Sequence, residues 1–182
     1  MSTRKQSFAQ TLEVLADETQ PLSAATIYGL SGLDRGQLDQ LRQRWPDYPV
    51  ERRRQLVQRL NEISEANFEM DFRGINYLAL DDADSEVRRH AVEGLWEDES
   101  LTLMYKLIDI AKHDHSLEVR AAAAVELGRF ILLGEYEAIS EADAQLAQNT
   151  VLDIFHSDED NELRRRALEA IANCGREGVR EM

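Results

Sequence analysis

A five-position pattern recurs four times in this chain of 182 residues and constrains its fold more than any other feature. Each copy centres on an arginine, with Asp six residues before it, Glu two before, a small or apolar residue three after and an aliphatic residue seven after. The copies are Asp47/Glu51/Arg53/Leu56/Leu60, Asp82/Glu86/Arg88/Ala91/Leu95, Asp114/Glu118/Arg120/Ala123/Leu127 and Asp158/Glu162/Arg164/Ala167/Ile171. Self-similarity at such spacings indicates tandem supersecondary units.

Each copy has the chemistry of a helix that begins in a turn. Asp or Ser side chains stand where they can accept hydrogen bonds from the free amides of the first turn, and the Glu lies where the helix dipole favours negative charge. Apolar residues follow at three- and four-residue steps, which predicts one apolar face. The candidate N-caps are Asp84 or Ser85, Ser116, and Asp160 or Asn161.

A second helix is predicted after each of the first three copies. One ends near Leu80, the next runs from about Leu101 to Lys112, and the third runs from about Glu141 to His156 after a Ser140-x-x-Asp143 start that is similar to a capping box. The apolar residues assigned to the earliest of these helices are Phe68, Phe72, Ile75 and Leu78. The longer third unit predicts that its first helix continues through residues 130–133, with a loop at 134–139.

Segments 84–95 and 116–128, Asp-Ser-Glu-Val-Arg-Arg-His-Ala-Val-Glu-Gly-Leu and Ser-Leu-Glu-Val-Arg-Ala-Ala-Ala-Ala-Val-Glu-Leu-Gly, resemble HEAT repeats. They are most similar to the short variety of phycobilisome lyase-like proteins. The resemblance implies an all-α, right-handed α-α superhelix, a HEAT-like solenoid of antiparallel helix pairs. It also implies a polar ladder of Asp and Arg in successive repeats. The matching positions are Asp82, Asp114, Asp158, Arg88, Arg120 and Arg164.

The chain is expected to divide into an N-terminal helical cap at 1–46 and repeats at 47–182. The repeats span about 47–81, 82–113, 114–157 and 158–182, the last being incomplete. A terminal unit that departs from the repeat is what a solenoid needs to cover its first apolar face. The C-terminal end lacks such a cover, so either the natural protein is longer or a second copy covers this end in a homo-oligomer. Cys174, the one cysteine, is expected to be buried.

Composition excludes several classes of function. The chain carries 35 Asp and Glu against 21 Lys and Arg, a formal charge of −14, which argues against general nucleic-acid binding. The arginine runs at 52–54 and 164–166 keep an anion-binding patch open, although acids flank both. No segment is long and apolar enough to cross a membrane, and the N-terminus lacks the apolar run of a signal peptide. We expect a cytoplasmic protein.

No catalytic motif is present. His113-Asp114-His115 is the one tight cluster of metal-capable side chains, and two ligands one residue apart make a poor tetrahedral site. Paired carboxylates are abundant, but solvated turns use them for helix capping, and acid–base catalysis needs a pocket that shifts their pKa values. We expect a non-enzymatic protein without metal or cofactor.

The surface made by the second helices is the best candidate for function. It leans acidic and carries tyrosines that are suited to anchor a partner. The candidate partner-binding residues are Glu69, Asp71, Tyr77, Tyr105 and Asp109. We therefore expect a scaffold or adaptor that binds a protein partner with a basic segment on a concave, acidic face. Two alternatives stay open: the tyrosines simply pack between repeats, or the chain is a bilin lyase or lyase-accessory protein, as the family resemblance implies.

Overall fold

The computed structural model describes residues 7–156 and 160–172, and every regular element in these ranges is helical. A short 3-10 helix at Trp45–Asp47 accompanies the α-helices. The α-helices are α1 (Phe8–Ala16), α2 (Ala24–Tyr28), α3 (Arg35–Arg44), α4 (Val50–Ala66), α5 (Arg73–Ala79), α6 (Ser85–Glu93), α7 (Leu101–His113), α8 (Leu117–Glu135), α9 (Glu141–His156) and α10 (Asn161–Ile171). They form two compact units: unit 1, Met1–Leu95, and unit 2, Trp96–Met182.

Side-chain caps start the helices of the N-terminal region. Ser7 and Asp34 each form a capping box, with Gln10 and Gln37 at the third helical position. Ser23 accepts the amide of Thr26 and starts α2. The region expected to be helical at 1–46 contains three α-helices in its described part, residues 7–46, and Asp34 opens the third. Whether they act as a cap separate from the repeats stays a prediction.

Buried polar groups tie unit 1 together. Arg52 is 3% exposed, and its Nη2 donates to the carbonyl oxygens of Asp17 at 2.5 Å and Gln20 at 2.7 Å. Asp82 forms an ion pair with Arg53 at 2.8 Å and accepts a hydrogen bond from Trp45 Nε1 at 2.6 Å. These contacts join segments about 30 residues or more apart, so helices that are individually short are stabilised as a group.

Two buried asparagines hold the end of α6. Asn61 Nδ2 donates to the carbonyl of His90 at 2.7 Å, and Asn76 Nδ2 donates to that of Gly94 at 2.9 Å. A Cβ at Gly94 would collide with both amide groups, which explains why glycine ends this helix. Helix C-termini leave carbonyls without helical partners, and here α4 and α5 supply the donors.

The prediction for Phe68 was wrong. Phe68 was assigned to the apolar face of a helix that ends near Leu80. The helix α5 starts only at Arg73, and Phe68 lies in the preceding turn with 70% of its surface exposed. The turn is fixed by Asn67, whose carbonyl accepts the amide of Met70 at 3.1 Å. An aromatic residue in an apolar run satisfied the periodicity without being part of the helix.

Unit 2 is built from longer helices in close contact. The helix α8 packs against α7, α9 and α10, and α9 packs against α7 and α10. A Cβ at Gly128 would lie 2.6 Å from the carbonyl oxygen of Ala170, so the backbones of α8 and α10 touch. The small residues Gly128 and Ala170 permit this approach. The predicted α7 and α9 bounds are confirmed to within one residue. The helix α8 continues through residues 130–133 as predicted, and it ends at Glu135, two residues into the predicted loop.

The arginines of the repeated pattern hold turns rather than a reaction centre. Arg120 Nε donates to the carbonyl of Ala111 at 3.0 Å, and Arg164 Nε donates to that of Phe155 at 3.0 Å. Each arginine thereby binds the last turn of the preceding helix, nine residues back. The Arg53–Asp82 ion pair joins the first two copies of the pattern, although Arg53 was not among the arginines expected in the polar ladder. The expectations for Asp158, Cys174 and the C-terminal end fall on residues outside the described ranges.

Candidate interaction surface

The five predicted partner-binding residues are divided between the two units. Glu69, Asp71 and Tyr77 belong to unit 1, whereas Tyr105 and Asp109 belong to unit 2.

Asp71 is held by its neighbours in unit 1. Its carboxylate accepts hydrogen bonds from the Arg73 amide at 3.1 Å and from Arg73 Nε and Nη2 at 3.0 and 2.8 Å. The hydrogen bond from the Arg73 side chain lowers the pKa of this carboxyl group. The Asp71 backbone bonds to Ser31 Oγ and to the Gly32 amide, at 2.9 and 2.8 Å. Asp71 thus has a structural role at the start of α5 that its sequence position did not reveal.

Glu69 and Tyr77 differ in their access to solvent. Glu69 is exposed in the turn before α5, and its amide donates to Asn67 Oδ1 at 3.1 Å. Tyr77 lies on α5 and is half-buried. In unit 1, therefore, Glu69 is the predicted residue whose carboxylate is most accessible to a partner.

Tyr105 forms a link between two second helices in unit 2. Its side chain is half exposed, and its hydroxyl donates to Asp143 Oδ1 at 2.6 Å. Ser140 Oγ donates to the other carboxylate oxygen of Asp143 at 2.5 Å and accepts the Asp143 amide at 3.1 Å. The hydrogen bonds from Ser140 and Tyr105 lower the pKa of Asp143, whereas the carboxylate raises the pKa of Tyr105. The tyrosine ring is consequently fixed in one orientation.

The Tyr105–Asp143 bond shows which sides of α7 and α9 face each other. Leu101 and Ile108 lie four residues before and three after Tyr105, so they share its side of α7. Leu146 lies three residues after Asp143 on α9. We call this surface the α7–α9 groove, lined by Leu101, Tyr105, Ile108, Asp143 and Leu146. Its two leucines, Leu101 and Leu146, are each 38% exposed and lie on the same surface as the half-exposed Tyr105.

Carboxylates outnumber lysines on α7 and α9 and in the turn before α7. Asp109 lies one turn after Tyr105 and pairs with His113, whose Nδ1 is 2.9 Å from Asp109 Oδ1; both side chains are largely exposed. Residues 97–113 and 141–156 together contain seven Asp and Glu against two lysines. Unit 2 is also more acidic than unit 1 as a whole. Residues 96–182 carry 19 acids and 9 bases, a formal charge of −10, whereas residues 1–95 carry 16 acids and 12 bases, a formal charge of −4. A surface of this kind attracts cations.

The arginine runs are already engaged with acids or carbonyls. Arg54 contacts Asp84, with Nη2 and Oδ2 2.6 Å apart, and also pairs with Glu51 and Glu86. Arg165 and Arg166 both pair with Glu162 and Glu169. Since these guanidinium groups have anionic partners within the chain, they form a poor phosphate-binding patch.

Within residues 7–156 and 160–172, no group of three or more His, Cys, Asp or Glu residues is arranged to hold a metal ion. None of the helices at 7–156 and 160–172 combines the length and apolar character needed to span a bilayer.

The family model of HEAT repeats matches residues 76–172, just over half of the chain. The chain belongs to the HEAT-repeat family. The predicted all-α fold of HEAT-like helix pairs is confirmed by this match together with the helices described above. The finer likeness to phycobilisome lyase-like proteins stays a prediction. No curated protein and no solved structure matches the chain.

Proposed function

We propose that the chain is a non-enzymatic scaffold or adaptor that binds a basic segment of a protein partner. The binding residues are Glu69 in the turn before α5 of unit 1, and Tyr105 and Asp109 on α7 of unit 2. HEAT-repeat proteins commonly mediate protein interactions, which supports this class of function. The observation that carries the proposal is the half-exposed, fixed Tyr105 among carboxylates. Rigid aromatic anchors lose little conformational entropy when a partner binds.

The carboxylates add selectivity for a cationic partner. Complementary charges steer encounter and disfavour acidic competitors, and salt screens both effects beyond about 8–10 Å at physiological ionic strength. The partner should therefore bind more weakly as ionic strength rises. Tyr77 and Asp71 contribute to the shape of unit 1 in this proposal, since the Asp71 charge is compensated by Arg73.

A charge-reversal experiment tests the proposal. The double variant Glu69→Lys/Asp109→Lys is compared with Glu18→Lys/Asp47→Lys, which changes the net charge equally at exposed positions of unit 1. The partner recovered by affinity capture is quantified while NaCl rises from about 50 to about 500 mM. Recovery should fall with salt and with the first variant, and should be retained in the second. Binding that survives high salt, or that both variants lose equally, would contradict the proposal.

A further inference from the structure

We propose that the α7–α9 groove of unit 2 binds an amphipathic helix of the partner, with its apolar face in the groove and Lys or Arg residues at the groove's acidic margins. This inference rests on the proposed function and deepens it, because it names the binding element of the partner. Five residues line the groove: Leu101, Tyr105, Ile108, Asp143 and Leu146.

The spacing of the apolar residues favours a helical occupant. Leu101, Tyr105 and Ile108 stand at positions i, i+4 and i+7 of α7, which places them in one row over two turns. Leu146 lies one turn after Asp143, the α9 residue that Tyr105 contacts, which places it across from that row. A helix laid into such a groove presents apolar residues at the same repeat. An extended strand would alternate its side chains and could direct only every second one into the row.

The groove is preorganised. Its two walls are the α-helices α7 and α9, which pack against each other and against α8. Asp143 holds the Tyr105 hydroxyl, and Ser140 holds Asp143, so the ring at the centre of the row does not need to be ordered by the partner. A surface that is already ordered leaves more of the contact energy for binding.

Charge complementarity identifies the chemistry of the occupant. The helix α9 contains Glu141, Asp143 and Asp153 and no Lys or Arg, and the turn before α7 contributes three more acids at 97–99. The lysines Lys106 and Lys112 on α7 compensate only part of this charge. An occupant with cationic side chains on both margins of its apolar face therefore gains favourable contacts, whereas an acidic helix is repelled.

Fluorescence anisotropy with labelled synthetic peptides tests the inference. The probe is a Leu/Lys peptide of about 14 residues with leucines at helical spacing, long enough to cover α7. A scrambled peptide of the same composition and a Leu/Glu peptide of the same pattern are the comparisons. We expect the Leu/Lys helix to bind at least about tenfold more tightly than the scrambled peptide. The Leu/Glu peptide should show no binding.

Matched protein variants locate the site. Leu146→Ala and Tyr105→Ala should each weaken the Leu/Lys peptide about tenfold, as truncation of a contact residue in an interface centre does. Leu132→Ala and Tyr28→Ala are the matched controls. Leu132 is 37% exposed against 38% for Leu146, and Tyr28 is 52% exposed against 50% for Tyr105. Both controls lie outside the groove and should change the affinity less than about twofold. Leu101→Ala is a third groove variant, and circular dichroism checks that each variant folds.

The outcomes separate this inference from the proposed function. If both cationic peptides bind equally and the groove variants have no effect, the inference is wrong, while salt-sensitive binding lost on charge reversal still supports an acidic scaffold. If the charge-reversal variant keeps its partner, the proposed function is wrong. Tighter binding of the Leu/Glu peptide, or equal losses in groove and control variants, would also overturn the inference.

Discussion

Unit 1 and unit 2 reach stability by different means. Unit 1 uses short helices joined by buried side-chain contacts, among them Arg52 to the carbonyls of Asp17 and Gln20 and the Asp82 cluster with Arg53 and Trp45. Unit 2 uses long helices that touch through small residues, and its described surface includes the α7–α9 groove. The difference teaches that helices of one repeat protein can be stabilised in two ways, by buried polar contacts in unit 1 and by close packing through small residues in unit 2.

The largest effect is expected from a substitution that breaks the polar cluster of Asp82, Arg53 and Trp45 in unit 1. Asp82→Ala leaves Arg53 and Trp45 Nε1 without their buried acceptor, and loss of one member of a buried pair costs about 3–5 kcal/mol. The free energy of unfolding from urea denaturation measures this loss. The control Asp47→Ala occupies the equivalent position in the first copy of the pattern, where the residue is exposed, and should change stability by less than about 0.5 kcal/mol. Similar values for the two variants would contradict the comparison.

The next effect concerns the close contact in unit 2. Gly128→Ala places a Cβ 2.6 Å from the Ala170 carbonyl oxygen, so α8 and α10 must separate. Overpacking of this kind costs about 1–3 kcal/mol. Gly36→Ala, in the exposed first turn of α3, should be close to neutral, because its new Cβ meets only the Asp34 side chain at 3.3 Å. Thermal denaturation followed by circular dichroism compares them, and a neutral Gly128→Ala would mean that the two helices are not in tight contact.

A smaller, pH-dependent effect belongs to unit 1. Asp84 caps α6 and pairs with Arg54, whose hydrogen bond lowers the Asp84 pKa from 3.8 to about 2. Since the pKa is lowered in the folded state, the pair stabilises the fold above about pH 4, and this stability is lost as the pH falls toward 2. Asp84→Asn keeps a capping side chain and removes the charge. We expect a loss of about 1 kcal/mol at pH 7 that disappears near pH 2.

Urea denaturation at a series of pH values measures this effect. The difference between wild type and Asp84→Asn should shrink steadily below about pH 4. A difference that stays constant down to pH 2 would show that the charge of Asp84 does not carry the contribution.

Local signals predicted much of the fold. The start of α3 at Asp34 and the bounds of α7 and α9 follow from caps and helical periodicity, which depend on residues within a turn or two. Arg52 shows what local signals cannot predict. Its burial depends on two carbonyl groups more than 30 residues earlier in the chain. Nothing in the local sequence indicates that an arginine on this helix is buried.

The same limit applies to the groove. Tyr105 was a candidate from its position on a second helix, but its partner Asp143 lies 38 residues later on the next second helix. Each residue was noted for its own helix, and only the packing of α7 on α9 joins them. The prediction for Phe68 was wrong for a related reason, because an apolar residue just before a helix can fit the same periodicity as a residue within the helix.

The smallest effect separates the tyrosines of the two units by the cause of their raised pKa. Burial raises the pKa of Tyr48 in unit 1 to about 12, whereas the Asp143 carboxylate raises that of the half-exposed Tyr105 in unit 2. Deprotonation of Tyr48 should therefore require opening of unit 1, so stability is lost as the pH rises from about 10 toward 12. Tyr105 can ionise with its helices intact.

An alkaline titration followed by tyrosine absorbance and circular dichroism measures the difference. Tyr105→Phe should remove an absorbance step that precedes the loss of helix. Tyr48→Phe should remove a step that coincides with that loss. If both steps coincide with unfolding, Tyr105 is less accessible to solvent than its exposed fraction indicates, and the groove is less open than we propose.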